Sequence, residues 1–219
     1  MEKQRYPAIF GSAKRWASVT GVLGDYYALE ERDFIGEIQG FGSTGKKRYE
    51  AVIEEGWLRR ICVPDNPQMR NGIKRGKRHY VITFGEKMAP FGRPETRITK
   101  NILLHLVTTA QYRHCIPRKD VRRWYNEIWL KEARPELVET YCNGYAPDAL
   151  IEMQSGEYWG VELLKKTIPN SKREWEIKKE QWRGSGMSKI IWLRMKSPWE
   201  KPPFYIFNPP EESGDIKGD

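Results

Sequence analysis

Residues 146–166 read APDALIEMQSGEYWGVELLKK, and the fold turns on how that stretch is taken. Ala149–Met153 is mostly apolar, Gln154-Ser155-Gly156-Glu157 supplies turn residues, and Tyr158–Leu164 returns as a second apolar-rich segment. The spacing predicts a β-hairpin. Pro147 and Asp148 open its first strand, and Glu162 lies on the second where the two carboxylates can face each other. Lys165 and Lys166 follow. Paired carboxylate oxygens are hard ligands suited to Mg²⁺, which takes only one or two protein carboxylates and keeps its other positions for water and substrate phosphate. A neighbouring ammonium can position or activate the attacking water. A strand pair carrying one Asp and one Glu also occurs in proteins that hold no metal, so the residues alone leave both readings open.

Outward from the hairpin, composition narrows the partner. The chain has 219 residues, with 38 Lys and Arg against 29 Asp and Glu, a net charge of +9. Residues 1–100 hold 19 of the basic and 12 of the acidic residues, so most of the excess lies in that part. A basic footprint of this kind favours a polyanion. Cys62, Cys115 and Cys142 are far apart and show no CxxC spacing, which suggests neither a zinc site nor a disulfide framework and fits a reducing cytoplasm. No apolar run approaches a membrane span, and MEKQRYPAIFG lacks a signal-peptide core, so a cytoplasmic, non-membrane protein is expected.

In the first hundred residues, Trp16, Val19, Val22, Leu23, Tyr26, Tyr27, Phe34 and Ile35 recur mostly at helical spacing and predict two helices with a joint near Glu30–Asp33. Ser43 or Thr44 can cap a third helix, KKRYEAVIEEGWL, with Tyr49, Val52 and Ile53 inward. Lys46, Lys47 and Arg48 in its first turn oppose the helix dipole and are suited to a nearby phosphate. Strands over Trp57–Val63 and His79–Phe84 flank a loop carrying Arg70, Lys74, Arg75, Lys77 and Arg78. Helix, turn, basic helix and a hairpin with a charged tip is the pattern of a winged helix-turn-helix, whose tip would lie on a phosphate backbone or enter a minor groove.

Lys87–Glu95, rich in Pro and Gly, reads as a linker. Ile98–Tyr112 reads as a buried helix on which His105 is a core residue, and Lys119–Lys131 as a further helix. After the hairpin, Asn170–Arg183 predicts a helix with Trp175, Ile177 and Trp182 on its apolar side, crossing over to a strand at Lys189–Arg194. Strand, helix, strand in that order implies a parallel pair.

Pro147-Asp148-Ala149, a hairpin and Glu162-Leu163-Leu164-Lys165-Lys166 resemble the PD-(D/E)xK nuclease core, and more closely its variant in the replication-relaxation family of plasmids and mobile elements. The likeness extends to GWLRRI and HYVITFGEKM, with Tyr80, Thr83 and Gly85 in matching places, and to Leu104-His105-Leu106-Val107. It covers roughly Asp33 to Leu193. It implies an α+β chain, with a winged-helix DNA-binding domain over residues 1–92 and a restriction-endonuclease-like mixed-sheet domain over 93–208; composition predicts a disordered tail over 209–219. The implied function is Mg²⁺- or Mn²⁺-dependent endonuclease cleavage or nicking of DNA in plasmid or mobile-element replication or transfer. Asp148 and Glu162 would be the metal ligands, and Glu127, on the helix before the PD strand, would assist. One departure stands out: Leu164 occupies the usual lysine position. Lys165 or Lys166 would then supply the amine, strand parity favouring Lys166, or else the site is degenerate and the protein a non-enzymatic replication initiator or transcription regulator. Gln181, on the crossover helix, can also face such a site. A homodimer, and partners among mobile-element replication or transfer proteins, are compatible with this reading.

Overall fold

The computed structural model describes residues 6–38, 46–64, 78–91, 100–164, 168–195 and 204–206. Within these it is a mixed α/β structure with seven α-helices and two sheets, in agreement with the expected α+β class. The expected linker lies partly, and the expected tail wholly, outside the described residues.

The first sheet is built from α1 (Ala13–Tyr26), β1 (Ala28–Glu30), α2 (Glu31–Glu37), α3 (Lys46–Glu54), β2 (Leu58–Pro64) and β3 (Arg78–Phe84). Its strand order is β1-β3-β2, antiparallel throughout. The Ser12 side chain caps α1 by accepting the Arg15 N–H at 3.2 Å. The joint expected between the first two helices contains strand β1. Tyr27 turns the chain into it at φ 62°, a conformation that strains a bulky side chain. Two bonds hold it: its N–H donates to the Leu23 carbonyl at 2.8 Å, and its own carbonyl accepts the Thr83 hydroxyl at 2.8 Å. Gly85 is required by close approach, since a Cβ there would come within 2.2 Å of the Gly56 carbonyl oxygen. Arg60 of β2 fastens both neighbouring helices, bonding Glu31 of α2 at 2.8 Å and forking onto Glu50 of α3 with two bonds of 2.9 Å.

The second sheet follows α4 (Lys100–Arg113). Its elements are β4 (Val121–Asn126), α5 (Glu127–Ala133), α6 (Pro135–Cys142), β5 (Ala149–Met153), β6 (Tyr158–Leu164), α7 (Ile168–Gln181), β7 (Lys189–Met195) and β8 (Phe204–Ile206). The order is β4-β5-β6-β7-β8, with β6 and β7 parallel and the other pairs antiparallel. The hairpin and the parallel crossover thus stand as expected. The helix expected over Lys119–Lys131 is corrected: 121–126 is an edge strand, because Val121, Trp124 and Tyr125 bury against β5 while Arg122 and Arg123 stay in water.

Asn126 joins the two parts. Only 1 % exposed, it donates from its side-chain amide to the carbonyls of Gly24 and Asp25 at the end of α1, at 3.4 and 2.9 Å, while its Oδ1 caps α5 by accepting the Trp129 N–H at 2.9 Å. One hydrophobic cluster also reaches from Phe10, Leu23, Phe34 and Ile82 to Trp124, Ile151, Leu193 and Phe204, so both sheets share apolar packing. In the second sheet the odd-numbered Val161, Leu163, Ile191 and Leu193 belong to that cluster. The even-numbered Leu164 and Trp192 pack instead with Trp175 of α7 and Trp182 just past its end. Glu162 shares their parity and therefore faces α7.

Candidate active site

The register of the hairpin pairs Ala149 with Val161. Asp148 directly precedes this pair and Glu162 directly follows it, so the two carboxylates belong to neighbouring chain segments at the same end of the hairpin. Both are buried, Asp148 at 8 % and Glu162 at 2 % exposure. Taking a carboxylate out of water costs several kcal/mol per ion unless partners replace the lost hydration. Each has them. Asp148 Oδ2 accepts the Leu163 N–H at 2.7 Å, and Oδ1 lies 3.1 Å from His105 Nδ1, on α4. Glu162 Oε2 accepts from Nζ of Lys178, on α7. Glu127, the first residue of α5, donates its backbone N–H to the Asp148 carbonyl at 3.2 Å, and its carboxylate pairs with Lys131 one turn further on.

The electrostatics follow from these contacts. Burial pushes Asp148 upward, but the His105 bond and charge, the Lys178 charge and the Leu163 amide outweigh it and hold the carboxyl below its ordinary range. An ionised Asp148 has no proton to give, so His105 Nδ1–H is the donor. The bond to Asp148 raises His105 above its ordinary value; burial opposes this, and the charges of Asp148 and Glu127 add to it. Burial lowers Lys178, against the pull of the Asp148 and Glu127 carboxylates. All four side chains therefore belong to one electrostatic unit.

Among the described residues no group of three or more His, Cys, Asp or Glu forms a ready-made metal cage. The donor chemistry nonetheless fits Mg²⁺ or Mn²⁺, since one or two hard carboxylates suffice when water and phosphate complete the coordination.

Of the expected site residues, Glu127 bonds the Asp148 backbone, and Lys178, the partner of Glu162, also feels the charges of Asp148 and Glu127. Lys165 and Lys166 lie outside the described residues. His105 departs from the core role read for it, since its side chain is 42 % exposed and bonded to Asp148. On α7 the expected Ile177 is 59 % exposed, and Lys178 takes the inward face between Trp175 and Trp182. The spacing of Trp175, Lys178 and Trp182 at i, i+3 and i+7 was the signal that could have found it. For Gln181 the contact seen is its backbone carbonyl, 3.4 Å from the Asn143 amide.

Of the expected polyanion contacts, Lys47 and Arg48 are exposed at the start of α3. The Arg48 guanidinium reaches back toward Gly11, where an added Cβ would come within 2.6 Å of it. The side chains of Lys46 and Arg78, and the whole of Arg70, Lys74, Arg75 and Lys77, lie outside the described residues. No helix in the described residues is long and apolar enough to cross a membrane. Comparison of the chain with family models, curated proteins and solved structures returns no match.

Proposed function

We propose that the protein is a DNA-binding, metal-dependent endonuclease, with a winged-helix part that holds DNA and a restriction-endonuclease-like part that cleaves or nicks it. The observation that carries this reading is the buried pair Asp148 and Glu162 at one end of β5 and β6, with His105, Glu127 and Lys178 converging on it from three helices. Element order supports it. The run α1-β1-α2-α3-β2-β3 with sheet order β1-β3-β2 suits a winged helix, and α4-β4-α5-α6-β5-β6-α7-β7 with β6 parallel to β7 suits the nuclease core. A role in plasmid or mobile-element replication or transfer, and membership of the replication-relaxation family, rest on the sequence resemblance and belong to the same proposal.

Asp148 and Glu162 would hold Mg²⁺ or Mn²⁺, which when bound supplies Lewis-acid activation of water and neutralises phosphate charge. His105 and the Leu163 amide fix the orientation of Asp148, an outer set of hydrogen bonds of the kind that sets ligand geometry. Glu127 adds negative potential that favours a cation. In the reaction a water oxygen bonds to phosphorus and the bond to the leaving sugar oxygen breaks. The water releases a proton to solvent, and the leaving oxygen takes one up.

The test is conversion of supercoiled plasmid in Mg²⁺, Mn²⁺ or EDTA. Wild-type protein is expected to nick or linearise it only with metal, and Asp148→Ala and Glu162→Ala to abolish cleavage and Mn²⁺ binding while DNA affinity stays within about twofold of wild type, about 0.4 kcal/mol. Full activity in either variant removes the proposed site. A second reading has its own observation: His105, Leu163 and Lys178 already partner both carboxylates. That favours a degenerate site in a DNA-binding replication or transcription factor, and wild-type protein that binds DNA but neither Mn²⁺ nor scissile phosphate would bear it out.

A further inference from the structure

We infer that Lys178, projecting from the crossover helix α7 against Glu162, is the phosphate-contacting amine of the proposed nuclease site, in place of a lysine on the strand that carries Glu162. The inference rests on the nuclease reading above.

Three observations carry it. The strand position two places after Glu162 is closed to an amine, because Leu164 is 1 % exposed and packed with Trp182 and Trp192. Lys178 supplies an ammonium to the same carboxylate from the opposite direction, its Nζ on Glu162 Oε2 and 5.9 Å from the Trp182 ring centre. Its side chain remains 24 % exposed, so the residue is not sealed from solvent as Glu162 is at 2 %. The next residue, Lys179, has its Nζ 5.2 Å from the Trp175 ring centre.

A cation fixed before the substrate arrives can meet the charge that develops on the phosphate oxygens without the cost of ordering itself, and removing one such group typically slows a reaction by about 10² to 10³. The same cation repels a divalent ion at Glu162. Lys178 should therefore speed the chemical step while weakening metal binding, a pair of effects that a purely structural lysine would not produce.

The experiment measures single-turnover cleavage, DNA affinity, Mn²⁺ affinity and melting temperature for the full chain and for Lys178→Met and Lys178→Arg. Lys178→Met keeps the stem and removes the charge. It is expected to cleave about 10² to 10³ slower, to bind DNA within about twofold of wild type, and to bind Mn²⁺ about tenfold tighter as the repulsion is lifted. Lys178→Arg keeps the ion pair but moves the charge into a planar fork, and is expected to remain folded and to cleave at least about tenfold slower. Wild-type cleavage and Mn²⁺ affinity in Lys178→Met overturn the assignment and leave Asp148 and Glu162 standing. Should that variant not fold, a folded Lys178→Arg with the wild-type rate overturns it equally. Wild-type protein whose Mn²⁺ binding is no different from that of Asp148→Ala overturns both this inference and the reading beneath it.

Discussion

The two sheets each carry a cluster of charged side chains, and the carboxylates in the two clusters are buried to different depths. Around the three-stranded sheet, Arg60, Glu31 and Glu50 remain 26 %, 20 % and 38 % exposed, and they tie two helices to a strand. Around the five-stranded sheet, the side chains of Asp148 and Glu162 are 9 % and 2 % exposed, and their partners come from helices on either side. Charges in water are screened within about 10 Å at 0.1 M salt, whereas buried ones are screened far less. Electrostatics at the first sheet therefore answer to ionic strength. At the second they answer to which groups are present and whether they are ionised.

The sharpest way to break this contrast is to remove the positive charge of the sequence between β2 and the start of β3. Neutralising Arg70, Lys74, Arg75, Lys77 and Arg78 together should weaken DNA binding by a factor on the order of 10² or more at low salt, and reduce the slope of log affinity against log salt by about 0.9 for each phosphate that is no longer neutralised. Mn²⁺ binding at the carboxylate pair should not move. An unchanged slope in a salt titration would show that the segment points away from DNA.

A smaller effect compares the clusters directly. Glu162→Gln strands Lys178 beside a buried amide and should cost about 3 kcal/mol of stability. Glu50→Gln, at a 38 % exposed site, should cost about 1 kcal/mol or less. Denaturant unfolding checks both, and equal losses would erase the distinction between the sheets. The double variant Glu162→Gln with Lys178→Met should recover much of the stability, because it leaves no unpaired charge.

The smallest effect is in pH. His105 is raised above its ordinary 6.5, so the stability it contributes is full below that value and fades as pH rises through its higher folded value. Asp148 is depressed below its ordinary 3.8, so its contribution is present above that value and fades as pH falls through its lower folded value. In EDTA, the melting-temperature gap between wild type and His105→Gln should be widest between those two ordinary values and should narrow above them. A gap that widens with rising pH would show that the bond to Asp148 is not what shifts His105.

Much of this fold could be read along the chain, because the decisive signals were local. The hairpin at Ala149–Leu164 announces itself by two apolar runs and a polar turn, and its two strands span Ala149–Met153 and Tyr158–Leu164. The crossover was equally legible from Trp175 and Trp182 followed by an apolar strand. Two elements were not. Strand β1 has three residues, too few for any periodicity, and exists because β3 offers Thr83, Ile82 and Val81 as partners. Strand β4 was disguised by Arg122 and Arg123, whose exposure on an edge strand resembles the polar face of a helix. At the candidate site, spacing on one hairpin made Asp148 and Glu162 candidates, and the family resemblance singled them out. Lys178 could not be assigned to Glu162 from spacing, because only the packing of α7 over Leu164 and Trp192 brings it there, and the same is true of His105 on a helix 43 residues before Asp148.

The distance along the chain between Glu162 and Lys178 has a consequence for how the molecule is made. A ribosome adds residues in order, at about 5 to 20 per second, and domains begin to fold as they emerge. The hairpin can form as soon as Leu164 is out, but the partner of Glu162 is 16 residues behind it, and Phe204, which closes the shared core against Tyr112, comes later still. Until α7 emerges and lays Lys178 down, a nascent chain that buried Glu162 would bury an unpaired charge, which is unfavourable by several kcal/mol. Burial of Glu162 in its charged form is thus expected to wait until α7 has been made.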